Sequence, residues 1–162
     1  MNWQEAFYHQ AASDYAMLRR LTADREVDDC QRLHYLQMTS EKLAKAFLTP
    51  TTGGSPRKSH AAFVRLLRHP TFERLLGRTL GWSNVQIKSF TSGIMPLAQQ
   101  IEDLAPTGDE ERPNPEYPWR RGNDVIAPVN YNFDNLSARQ PKVQKMIKFL
   151  GDWLIILEME LR

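Results

Sequence analysis

Cysteine is almost absent from this 162-residue chain: Cys30 stands alone, which excludes an intrachain disulfide and makes a reducing compartment the expected home. Long apolar runs are missing as well. No stretch approaches 18 uninterrupted apolar residues, so no membrane-spanning helix is expected. The opening MNWQEAFYHQ has no basic-then-apolar pattern of a secretory signal, and a soluble, cytoplasmic protein is the expectation. Nor is there an excess of one charge, since 21 Lys and Arg face 19 Asp and Glu. That balance excludes a polycationic nucleic-acid tail and an acidic disordered segment. Strand-like alternation is scarce, and neither Gly-x-Ser-x-Gly nor His-Glu-x-x-His occurs. What remains is ordinary globular composition, 41% hydrophobic and 25% charged, at a length that suits one domain over residues 1–162.

Helical periodicity dominates. In residues 2–22, Trp3, Phe7, Ala11, Tyr15 and Leu18 recur every three or four positions, and Asn2 with Glu5 forms a capping-box pattern. A second helix is expected over about 24–48, with Val27, Cys30, Leu33, Leu36, Leu43, Ala44 and Phe47 as core positions. Neither segment contains Gly or Pro, and the short link near Ala23 predicts an antiparallel hairpin. A turn-rich connector over 49–56 follows. Apolar Phe63, Leu66 and Leu67 mark a third helical region, which Pro70 interrupts and Phe72, Leu75, Leu76 and Leu80 continue. Ser83 is the expected N-cap of a helix over about 84–104 that contains Pro96.

Residues 106–141 hold six of the ten prolines together with Tyr117, Trp119, Tyr131 and Phe133. A long loop packed by its own side chains is expected over about 106–140, with residues 124–131 extended as far as Pro128 permits. The last helix, about 140–161, presents Val143, Met146, Ile147, Leu150, Trp153, Leu154 and Leu157 on a broad apolar face. The fold class that follows is an all-α bundle of four to five helices with one long loop before the last.

Few residues carry obvious chemistry. Gly53–Ser59 resembles a phosphate-binding loop only superficially, because Arg57 rather than Gly precedes Lys58 and a helix rather than a strand leads in. Cys30 and His34 share a helix face, but two ligands do not make a zinc site, and a buried thiol beside a histidine is the preferred reading. No metal or other cofactor is expected. Charge distribution says more than total charge. Residues 57–78 hold six basic side chains against Glu73, whereas residues 102–116 hold six acids against Arg112. Either the basic segment forms a phosphate-binding surface, or the two segments neutralise each other or are solvated faces. The candidate contacts are Arg57, Lys58, His60, Arg65 and Arg68, extended by Arg120, Arg121 and the ring of Trp119. That ring serves either base stacking or anchoring of the loop.

Gln37-Met-Thr-Ser-Glu41-Lys42-Leu-Ala-Lys45-Ala-Phe-Leu48, the later His60-Ala-Ala-Phe-Val-Arg-Leu66-Leu67 and the pair Tyr117-Pro118 together resemble the HEPN superfamily of small helical bundles. Asp14-Tyr15-x-x-Leu18 fits the family's opening helix, and the likeness is carried mainly by residues 3–67. It implies a homodimer acting on RNA or a nucleotide, or on a partner protein such as the nucleotidyltransferase of a toxin–antitoxin or defence system. The family's ribonuclease motif, Arg followed after four to six residues by His, is missing here. The resemblance therefore implies a non-catalytic binding protein, and no catalytic residue is carried over. A divergent metal-independent ribonuclease using His60 or His69 with a nearby Arg is the alternative. A third possibility is a structural subunit whose partner covers an apolar face, which aromatics exposed on the long loop would favour.

Overall fold

The computed structural model describes residues 1–50, 60–105, 111–133 and 136–161. It is mostly helical, as the periodicity predicts. Helix α1 runs Trp3–Ala23 and α2 runs Asp29–Leu48. They are followed by α3 (Ala62–Leu67), α4 (Pro70–Leu80), α5 (Asn84–Glu102) and α6 (Pro141–Leu161). The predicted capping box is present, with the Asn2 side chain accepting from the Glu5 amide and the Glu5 carboxylate accepting from the Asn2 amide. Ser83 and Gln86 form a second one at the start of α5.

The link between the first two helices is longer than the sequence suggests, because α2 begins at Asp29 rather than near residue 24. Arg32 explains how that link is held. It is only 4% exposed, and its guanidinium donates to the Leu21 and Asp24 carbonyls and to Asp29, tying the end of α1 to the start of α2. The region beyond residue 58 splits into α3 and α4 at Pro70, which occupies the permitted first turn of α4. Among the described residues, six α-helices thus replace the expected four or five, without a change of fold class.

The long loop contains a small antiparallel hairpin, β1 (Trp119–Arg121) with β2 (Asp124–Ile126). Gly122, at φ +63°, supplies the left-handed backbone that its two-residue turn needs. Pro128 lies beyond the ladder and opens a 3-10 turn over Pro128–Asn130, so the extended segment is shorter than residues 124–131. Both α2 and α5 pack against several other helices and line the centre. One contiguous core joins all six helices to Trp119 and Phe133 of the loop. Its aromatic heart is Trp153, whose ring meets Phe47, Phe72 and Phe149. Among the described residues, no helix is long and apolar enough to cross a membrane.

Candidate nucleic-acid interface

The middle of α2 carries an unusual density of buried polar side chains: Gln37, Thr39, Ser40 and Glu41 are each 8% exposed or less. Gln37, Glu41 and Lys45 are spaced by four residues and so lie on one face. The Glu41 carboxylate organises this face. It accepts from Gln37 Nε2 at 2.8 Å and from Lys45 Nζ at 2.5 Å, and His60 Nδ1 lies 2.9 Å away. Burial pushes the Glu41 carboxyl up, but the bonds and charges of Lys45 and His60 outweigh it, leaving the group below the ordinary carboxylate range. On the α1 side, Lys42 Nζ reaches Asp14 at 2.5 Å, and Asp14 also accepts from Gln10.

His60 precedes α3 and keeps half of its side chain in solvent. With Nδ1 held by Glu41, its Nε2 is the nitrogen left for chemistry. Glu102, from the end of α5, fixes the start of α3 from the other side. Ala61 offers α3 no side-chain cap, and Glu102 Oε1 accepts from the Phe63 and Val64 amides at 2.6 and 2.9 Å. Its Oε2 is buried and has no hydrogen-bond partner among the described residues. Burial raises the Glu102 carboxyl above its usual range, against the lowering effect of those two amides.

Arg65 is exposed on α3, Arg68 at its C-cap, and Arg74 on α4. Arg65 donates to the Ala61 carbonyl and Arg74 to the Thr71 hydroxyl. Among the described residues, none of the three forms an ion pair with a carboxylate. Arg78 does, bonding to Glu160 of α6. Among the described residues, no acid of 102–116 forms an ion pair with Arg65, Arg68 or Arg74, although the Arg65 charge acts on the Glu102 carboxyl. Glu102 is spent on the backbone of α3, and Glu116 faces His34 at 3.7 Å. Arg57 and Lys58 lie outside the described residues.

Several sequence candidates take structural positions. Trp119 is 3% exposed, and its ring is enclosed by Tyr131 and Phe133, so it anchors the loop and offers no stacking face. The same packing leaves no exposed aromatic cluster among the described loop residues; Tyr117 alone stands out, at 55% exposed. Arg120 and Arg121 are exposed, but on the separate hairpin. His69 caps α4: its Nδ1 accepts from the Thr71 amide while the ring packs edge-on against Phe47. Because α3 ends at Leu67, Arg65 and His69 do not share a helix face as their spacing suggests. Cys30 is buried, and burial with the nearby Asp28 charge pushes its thiol up, consistent with a core residue rather than a nucleophile.

Glu41 and Glu102 are the residues that sequence reasoning missed. The Glu41–Lys45 spacing was visible, but nothing in it distinguishes a buried junction from a solvated helical pair. The chain matches no family model, no curated protein and no solved structure.

Proposed function

We propose that this protein is a HEPN-like RNA-binding bundle that acts by binding, with the α3–α4 edge as its phosphate-contacting surface. One observation carries the proposal: Arg65, Arg68 and Arg74 are exposed with no carboxylate ion-paired to them among the described residues, while Glu102, whose carboxyl feels the Arg65 charge, is hydrogen-bonded to the α3 backbone as a cap. An unpaired guanidinium gives two parallel donors to a phosphate without first breaking an ion pair. His60 adds a half-exposed donor beside Lys45.

Binding of this kind releases counterions. Affinity for single-stranded RNA should therefore fall steeply with salt, and Arg65→Gln with Arg68→Gln should flatten the log–log slope by roughly 0.7 per lost phosphate contact. Filter binding across a salt series measures it, and an affinity indifferent to salt would overturn the proposal.

The Glu41–His60 contact favours one second reading, a metal-independent ribonuclease in which Glu41 orients His60 as a general acid or base. Cleavage of labelled RNA that His60→Ala abolishes would establish it. Equal degradation by wild type and variant would assign the activity to contamination.

A further inference from the structure

We propose that the surface groove between α5 and α6, lined by Trp82, Val85, Phe90 and Lys145, is a stacking pocket for an unpaired base of single-stranded RNA. The inference rests on the RNA-binding reading above and gives its phosphate track a base-recognising end. That track needs one, because the ring of Trp119 is enclosed in the loop core.

The groove is open to solvent, has a volume of about 440 Å³ and is completed by Gln86 and Ser89. Its lining contains two aromatic rings, one cation and no carboxylate. The Trp82 indole is half-buried and meets the Phe90 ring edge-on at 5.1 Å, which fixes its orientation. Lys145 Nζ sits 5.9 Å from the centre of the Phe90 ring, and among the described residues it has no ion-pair partner. Val85, on the first turn of α5, forms the outer wall and is 78% exposed. A rigid aromatic face, an apolar wall and an unpaired ammonium are the combination that takes a base by its π-face and the adjoining phosphate by its charge.

The groove also adjoins the cationic edge. A second groove, between α4 and the first turn of α5, is lined by Arg74, Arg78 and Asn84, with Glu73 beside them. Asn84 and Ile87 face that groove, whereas Val85, Gln86 and Ser89 face the aromatic one, so one turn of α5 is the wall between them. Behind the wall, the Trp82 carbonyl lies 3.4 Å from where a side chain at Gly77 would begin. A strand following the arginines of α3 and α4 therefore reaches the Trp82 face by crossing a single helical turn. Stacking there requires a base splayed out of a duplex, which selects single-stranded RNA.

The decisive comparison uses the whole chain with a labelled oligouridine and an abasic strand of equal length, read by fluorescence anisotropy. Wild type should prefer the strand with bases roughly tenfold. Trp82→Ala should erase that preference while leaving abasic-strand affinity and the salt slope unchanged. Trp82→Phe should restore part of it. Val85→Asp blocks the groove from its exposed rim without touching the core, and should erase the preference too. Retention of the full preference by both Trp82→Ala and Val85→Asp would overturn the pocket but leave the arginine surface standing. Failure of wild type to bind either strand would overturn both.

Discussion

Glu41 and Glu102 are both more than nine-tenths buried, yet their ionisation acts on stability in opposite senses. Glu41 titrates below its unfolded value, so its contribution is complete above the unfolded pKa and is lost as pH falls through the folded one. Glu102 titrates above its unfolded value, so its contribution is present at low pH and is lost as pH rises through the folded pKa. Thermal melts taken on both sides of the ordinary carboxylate pKa, about 4.3, should show Glu41→Gln losing the acid-side decline of wild type. Glu102→Gln should instead lose the decline that accompanies ionisation of that group. Curves for both variants parallel to wild type would refute this assignment. Truncation is harsher than neutralisation: Glu41→Ala leaves Lys45, Gln37 and His60 without their common acceptor, and a loss of about 3 kcal/mol is expected from chemical denaturation.

Among the elements, α6 and the hairpin make contrasting contributions. The α6 face is apolar across Val143, Met146, Ile147, Leu150, Trp153, Leu154 and Leu157, all buried as the 3.6-residue period predicts. Trp153→Ala should cost about 3–5 kcal/mol in urea unfolding, because it removes the ring at the meeting point of Phe47, Phe72 and Phe149. Trp153→Leu should cost less, since it keeps apolar volume and the indole nitrogen has no hydrogen-bond partner among the described residues. The hairpin depends instead on one backbone angle. Gly122→Ala should weaken it by about 1 kcal/mol, and Gly122→Asn by less, because asparagine tolerates the left-handed region better. Loss of amide protection confined to residues 119–126 would report this, with the helices unaffected.

At the scale of the molecule, the contiguous core makes one cooperative transition the expectation, even though the loop carries its own aromatic cluster. Trp119 reports on the loop and Trp153 on the bundle. Circular dichroism and tryptophan fluorescence should therefore unfold together, and an earlier fluorescence step abolished by Trp119→Phe would show the loop melting alone. Charge is also a property of this scale. The small net charge conceals a basic edge and an acidic segment, and among the described residues no ion pair joins the acids of 102–116 to Arg65, Arg68 or Arg74. Glu102 turns inward to the α3 backbone and Glu116 turns to His34, which leaves Arg65, Arg68 and Arg74 available, whereas Arg78 is paired with Glu160.

The sequence by itself determined most of the helices, the Asn2–Glu5 capping box and the buried face of α6, because these depend on residue spacing within a few turns; on α1 the same period includes Trp3, which stands exposed, and Phe7 and Tyr15, which are only partly buried. It also determined that the long loop would pack on its own aromatics, since a proline-rich segment with four aromatic rings has enough apolar surface to do so. Tertiary structure alone decided which of those rings stay accessible, enclosing Trp119 and leaving Trp82 at a groove. It likewise decided that Glu102, nearly forty residues away, would cap α3, and that His60 would meet Glu41 rather than an arginine. Such contacts join positions distant in sequence, and their energies depend on burial, which helix packing creates and local spacing does not encode.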